Sequence, residues 1–294
     1  MKPCCPTYLK TSFELIAYGG LSKKNSAAIE KEQKGFHTRF LSEEAKQQLI
    51  TDFKQAKKRL IFLDYDGTLT PYAKHPLMAK PGEKLLSLLK CLSDNLNNDV
   101  IIVSGRGKAI LQEWLGLPCI ALAAEHGAWI KEKHCGWKLS GSFASNWKPK
   151  IRLILQQYTD RLPGSFIEEK DFSIVWHYRT ANEKLCLTTK TDLLHTIAAD
   201  VKAMGIEILQ GNTVIEVRAA GANKGIAGIY WTEKKQPDFI LAVGDDLTDE
   251  DLFFVLPETA YSIKVGTSPS FARYHLSENQ QPAVIELLEE LAKS

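Results

Sequence analysis

The chain has 294 residues, of which 44% are hydrophobic and 24% charged, enough apolar material for one large core or two smaller ones. Its 37 basic and 35 acidic residues nearly cancel, and no long block of either sign occurs, which argues against nucleic acid or a membrane surface as the main partner. The opening Met-Lys-Pro-Cys-Cys-Pro lacks the apolar run of a secretory signal, no stretch of about 18 apolar residues occurs, and Cys4, Cys5, Cys91, Cys119, Cys135 and Cys186 form no CxxC pair, so a reducing, cytoplasmic setting is expected.

Residues 1–40 are polar and weakly periodic and read as a flexible tail or linker. A helix is predicted over 42–58, and the apolar run Leu60-Ile61-Phe62-Leu63 as a buried strand closed by Asp64 to Thr70. Pro81 suits a helix start, and Leu85, Leu88, Leu89, Leu92 and Leu96 recur at helical spacing before a second strand, Val100 to Val103, which ends at Ser104-Gly105-Arg106. A helix through Ile110, Leu111, Trp114 and Leu115 leads to a third strand, Ile120 to Ala124, ending at Glu125-His126-Gly127.

From about 147 to 218 the rhythm changes. A helix around Ile151 to Tyr158 precedes strands at 166–170 and 173–180, a helix near 190–203, and strands at 206–210 and 213–218, which together read as a small α+β insertion. The alternating pattern then resumes with a helix from Gly225 to Tyr230, a strand from Phe239 to Val243 ending at Gly244-Asp245-Asp246, and a helix from Asp249. Strand, polar loop and helix alternate as in an α/β fold with a doubly wound parallel sheet, whose ligands gather at the carboxyl ends of the strands. The expected layout is a core of 41–145 and 219–294 interrupted by a domain at 146–218.

Four strand or helix ends carry chemistry. Asp64 and Asp66, two residues apart after a buried strand, can project to the same side, one to attack phosphorus and the other to move protons, with Gly67 turning the chain away. Asp245 and Asp246 would bring more negative charge beside them, and so many carboxylates need a cation; with oxygen donors and neither a histidine cluster nor thiolates, Mg2+ is the natural choice. Ser104 and the N–H groups after it suit a phosphate at a helix start. Lys224 opens a helix, where the macrodipole disfavours a cation, unless it neutralises a phosphate and Asp64. Each feature alone has a plain explanation: an acidic turn, a serine or aspartate helix cap, an exposed lysine. Their recurrence at four separate ends favours a shared site.

Asp64-Tyr65-Asp66-Gly67-Thr68, Ser104-Gly105-Arg106, Asn223-Lys224-Gly225 and Gly244-Asp245-Asp246, in that order, resemble the four motifs of the haloacid dehalogenase superfamily. Ala124-Glu125-His126-Gly127-Ala128, His177-Tyr178-Arg179, Val214 to Arg218 and Gly244 to Glu250 narrow this: over roughly 58–280 the chain resembles the trehalose-6-phosphate phosphatases. The resemblance implies a Rossmann-like core with an inserted α/β cap of the C2 type, and hydrolysis of trehalose 6-phosphate. It implies that Asp64 is the nucleophile, Asp66 the acid/base, Ser104 and Lys224 the phosphate-holding pair, and Asp64, the Asp66 carbonyl and Asp245 the magnesium ligands. Arg39 to Arg59 also resembles the approach to the phosphatase part of fused synthase-phosphatase chains, so a trehalose-6-phosphate synthase, separate or fused, enters as a protein partner.

Candidate substrate contacts are Arg106, Glu125 and His126 at core strand ends and Lys170, Arg179, Asn212 and Glu216 in the insertion. Strand alternation pairs Glu168 with Lys170, His177 with Arg179, and Asn212 with Glu216 and Arg218 on shared faces; an ordinary half-solvated sheet has the same alternation. Gly211-Asn212 stands where the family pattern has Gly-Lys, so a cationic group for the sugar is either missing here or supplied by Lys170. Three alternatives stay open: a phosphatase for another sugar phosphate such as sucrose phosphate or a mannosyl-glycerate phosphate, a non-catalytic sugar-phosphate-binding partner of a synthase, and a phospho-accepting receiver, which would explain neither Asp66 nor the insertion.

Overall fold

The computed structural model describes residues 38–277 and 281–294; residues 1–37 of the expected tail lie outside them. The described chain forms two compact units. The first comprises the residues up to Tyr72, then Ala79–Ser140 and Asn223–Ser294; the second comprises Ala73–Met78 and Gly141–Ala222.

In chain order the elements are β1 (Arg39–Phe40), α1 (Glu43–Gln55), β2 (Arg59–Leu63), α2 (Glu83–Asp94), β3 (Asn98–Val103), α3 (Lys108–Leu115), β4 (Ala121–Ala124), β5 (Trp129–Lys131) and β6 (Trp137–Leu139). Then follow α4 (Lys148–Arg161), β7 (Phe166–Glu169), β8 (Ser173–His177), α5 (Glu183–Met204), β9 (Ile206–Gly211) and β10 (Val214–Ala219). The last elements are α6 (Lys224–Lys235), β11 (Phe239–Gly244), α7 (Thr248–Val255), β12 (Tyr261–Val265), β13 (Tyr274–Leu276) and α8 (Gln281–Ala292).

The first unit is built on a nine-stranded sheet in the order β1-β13-β12-β11-β2-β3-β4-β5-β6. Pairing is parallel from β1 to β4 and antiparallel for the short β5 and β6 at one edge, so the expected parallel sheet is extended into a mixed one. Side-chain alternation in β2 explains why both faces are covered. Ile61 and Leu63 pack with Phe53 of α1, Leu89 and Leu92 of α2 and Leu288 of α8. Leu60 and Phe62 point the other way, to Trp231 of α6 and Leu252 and Phe253 of α7. A strand apolar on both faces must be roofed twice, which is the doubly wound arrangement.

The second unit has its own core. Its antiparallel sheet β7-β8-β10-β9 turns Ile174, Trp176, Ile215 and Val217 toward Ile151 and Leu155 of α4 and Leu193 and Ile197 of α5. The opposite face carries Glu168 and Glu216, both in register with Val175, His177 in register with Phe166 and Val214, and Arg218 in register with Ser173 and Glu207.

Boundaries move where local chemistry decides them. Asn182 caps α5 by accepting the Lys184 N–H at 3.0 Å, and Gly205 at φ 62° closes it, so this helix is longer than the predicted 190–203. Leu96, placed by periodicity on α2, lies past its end and is fully exposed. Strand β8 stops at His177, leaving Arg179 in the following turn, and Asn212 sits in the turn between β9 and β10; neither is the strand residue that alternation predicts. No helix among the described residues is long and apolar enough to cross a membrane.

Candidate active site

The carboxyl ends of β2, β3, β4 and β11 converge in the first unit. Asp64 follows β2, with its N–H donated to the Val243 carbonyl at 3.0 Å, which ties it to the neighbouring strand that delivers Asp245. Lys224, the first residue of α6, is buried, and its Nζ lies 2.7 Å from Asp64 Oδ1 and 2.8 Å from Asp249 Oδ1. One oxygen from each of Asp64, Asp245 and Asp249 lies within 4.8 Å of the others. Asp249, expected only as a helix-start residue, is thus a full member of the cluster. Its Oδ2 also accepts the N–H groups of Asp245 and Asp246, each at 3.1 Å.

The electrostatics follow from two buried carboxylates, Asp64 and Asp249, and a half-buried one, Asp245, around one ammonium. Burial pushes Asp64 well above the usual carboxylate range against the pull of Lys224, with Asp249 and Asp245 adding to the rise. Burial and then Asp249 raise Asp245 to about 6. Lys224, which burial alone would lower, is instead pushed above its ordinary value by Asp249 and Asp64. Negative charge therefore exceeds positive in a site lined by carboxylate oxygens, which is the donor set of a hard divalent cation.

Glycines make the cluster possible at two points. A Cβ on Gly67, at φ 90°, would fall 2.0 Å from Asp245 Oδ2, and one on Gly244 would fall 2.2 Å from the Asp249 carboxyl carbon. Asp245 is held further by the hydroxyls of Thr68 at 3.2 Å and Tyr72 at 2.8 Å. Gln281 of α8 pins the same turn by donating to the carbonyls of Gly67 at 2.8 Å and Thr70 at 3.0 Å. Thr68, Tyr72 and Gln281 escaped the sequence reading; only the threonine sat inside a recognised motif, and nothing in the spacing of the other two links them to Asp245.

The Asp66 side chain turns away from the carboxylate cluster. Both its oxygens accept from Arg106, at 2.7 Å each, and the guanidinium stacks 4.4 Å above the Trp114 ring. Ser104 is buried, and its Oγ accepts the Arg106 N–H at 3.2 Å. After β4, Glu125, His126 and Gly127 take φ values of 48°, 56° and 97° in succession. Two non-glycine residues in the left-handed region cost roughly 1–3 kcal/mol each. The turn is paid for by two backbone bonds, from the Glu125 N–H to the Arg106 carbonyl at 2.9 Å and from the His126 N–H to the Ser104 carbonyl at 3.0 Å. The His126 ring lies where a Cβ on Gly105 would be, 2.5 Å away.

In the second unit Lys170 pairs with Glu216 at 3.1 Å, both nearly buried, and His177 Nε2 lies 2.8 Å from Glu168. Burial opposes ionisation of Glu168, yet Lys170 and His177 hold it below the usual carboxylate range. Phe166 stacks between His177, at 4.5 Å, and His75, at 4.9 Å. Arg179 donates to the Asn212 carbonyl at 2.9 Å, and Arg218 pairs with Glu207 at 2.9 Å. Four of the expected polar residues thus form one cluster, while Arg179 and Asn212 meet each other in turns and Arg218 is held by Glu207.

The family model for trehalose-phosphatase matches residues 62–286. The bifunctional trehalose-6-phosphate synthase/phosphatase of Thermoproteus tenax is 38% identical over 253 residues, which is 86% of this chain and 34% of that protein. The chain spans a quarter to a third of the length of the curated relatives it matches. Among solved structures, the C-terminal domain of Candida albicans trehalose-6-phosphate phosphatase superposes with a TM-score of 0.81 at 32% identity, covering 88% of this chain and 99% of that one. A haloacid dehalogenase-like hydrolase from Bacteroides thetaiotaomicron shares the fold alone, with a TM-score of 0.59 at 14% identity over 80% of this chain and 100% of that one.

Proposed function

Because this chain belongs to the trehalose-phosphatase family, we propose that it hydrolyses trehalose 6-phosphate to trehalose and phosphate through an aspartyl-phosphate on Asp64. The observation that carries the reading is the buried Asp64 carboxylate, 2.7 Å from Lys224 and clustered with Asp245 and Asp249. An Asp64 oxygen attacks phosphorus as the ester P–O bond breaks, and the departing sugar oxygen takes a proton from Asp66. Asp66 then removes a proton from water, whose oxygen attacks phosphorus and releases inorganic phosphate and the Asp64 carboxylate. Ser104 and Lys224 hold the phosphoryl oxygens.

Both Asp66 oxygens are engaged by Arg106, so proton delivery requires that pair to open. Asp64, the Asp66 carbonyl and Asp245 are the proposed Mg2+ ligands, and the excess of carboxylates over ammonium groups supports a divalent ion there. When bound, the ion screens the phosphate from the attacking carboxylate. Arg106, Glu125 and His126 in the first unit, and Lys170, Arg179, Asn212 and Glu216 in the second, are the proposed substrate contacts. Carboxylate, ammonium and amide groups suit sugar hydroxyls, and Lys170 supplies the cation that Asn212 does not.

A trehalose-6-phosphate synthase, fused or separate, is the proposed partner, since the name of the Thermoproteus tenax relative joins both activities. A cytoplasmic setting accords with Cys91, Cys119, Cys135 and Cys186, none of which forms a disulfide among the described residues. The test is phosphate release from trehalose 6-phosphate, sucrose phosphate and mannosyl-glycerate phosphate, with and without Mg2+. Trehalose 6-phosphate should lead, and only with the metal. A different leader would change the sugar, and no release from any substrate would favour a binding role.

A further inference from the structure

One buried ion pair near the site is not used by the chemistry above. Lys264 lies on β12 opposite Gly244 of β11 in the parallel register, at the sheet end where Asp245 and Asp246 leave the strand. It is almost fully buried; its Nζ donates to the Asp246 carbonyl at 2.8 Å and lies 3.2 Å from Glu250 Oε1. Glu250, on α7 and equally buried, uses Oε2 to accept the Ser270 hydroxyl at 2.9 Å and the Phe271 N–H at 2.7 Å. Burying two charges here costs several kcal/mol of desolvation per ion, roughly, and an apolar pair of the same volume would avoid that cost. What an apolar pair could not do is hold the Asp246 carbonyl. With the Asp245 and Asp246 N–H groups fixed on Asp249, the backbone at 245–246 is gripped on its donor side by one side chain and on its acceptor side by another.

We propose that Lys264, braced by Glu250, is a positioning residue for the divalent cation: it fixes the backbone that aims Asp245 at Asp64. This rests on the reading that Asp64 and Asp245 hold the ion. Partners that orient a ligating carboxylate typically change metal affinity by about 10- to 100-fold when removed.

The test is calorimetric titration of Mg2+ into the full chain, for the wild type, Lys264→Met and Val284→Ala. Val284 is buried in the core on the other sheet face and serves as a variant destabilised away from the loop. Lys264→Met should weaken Mg2+ binding by about tenfold or more, while KM for the sugar phosphate at saturating Mg2+ stays within about twofold and Val284→Ala binds as wild type. Mg2+ binding by Lys264→Met within about twofold of wild type would overturn the inference, as would an equal loss in Val284→Ala. Should Lys264→Met not fold, Glu250→Gln replaces it, with a loss of roughly threefold expected and none overturning the inference. A wild-type chain that takes up no Mg2+ would sink the cation reading itself, and this inference with it.

Discussion

Asp64, the proposed nucleophile, also belongs to the ion pair with Lys224 and to the acidic cluster, so a single atom change alters all three. Asp64→Asn keeps the shape and removes the attacking charge; phosphate release should fall to background while thermal unfolding still shows a folded chain. Substantial turnover in that variant would remove Asp64 from the nucleophilic role. Gly67 gives a second test, of geometry rather than charge. A methyl group there meets Asp245 Oδ2 at 2.0 Å and forces a side chain into φ 90°. Gly67→Ala should therefore lower both Mg2+ affinity and stability, the latter by about 1 kcal/mol or more, read by metal titration and urea unfolding of the same preparation. Wild-type values in both would mean that the loop relaxes freely.

At the scale of elements, the short hairpin β5–β6 depends on charge as well as on pairing. Glu132, in its turn, accepts from Lys138 at 2.7 Å and the Tyr230 hydroxyl at 2.5 Å and from Lys234, joining the hairpin to α6. Burial alone would raise its carboxyl, but the bonds from Lys138, Lys234 and Tyr230 bring it down to about 2 from 4.5. The sign is that of a depressed acid: its contribution is present in full above about 4.5 and is lost as pH falls toward 2. Glu132→Gln should cost on the order of 1 kcal/mol at pH 7, given partial exposure, and the gap from wild type should narrow between pH 4.5 and 2 in unfolding titrations. A gap independent of pH would assign the effect to packing. This hairpin was also illegible in the sequence, since three-residue strands carry too little periodicity to register. The strands β2, β3, β4 and β11 were legible as unbroken apolar runs, and the site residues at their ends came with them. Asp249 and Lys264 were not, because a carboxylate in a helix's first turn and a lysine in a strand have ordinary local explanations. Only the tertiary register reveals what they grip.

For the molecule as a whole, the two cores make separate claims on stability. Ile61, Leu63 and Trp231 belong to the core and roof of one sheet, Trp176 and Ile215 to another, and the acidic cluster belongs entirely to the first unit. Mg2+ at about a hundred times its dissociation constant should stabilise the folded chain by ~2.7 kcal/mol, and chelation should reverse the shift in calorimetry. Melting unaffected by the ion would show that the carboxylates tolerate one another without it. The backbone after β4 bears differently on this balance. Glu125 and His126 hold a conformation that glycine adopts without penalty, so heat-based directed evolution has an easy route there: exchanging either for glycine would relieve the backbone while removing a side chain that we propose contacts the sugar. Libraries screened for endurance alone would drift toward hardier, less active proteins, and those screened for turnover would keep the strain.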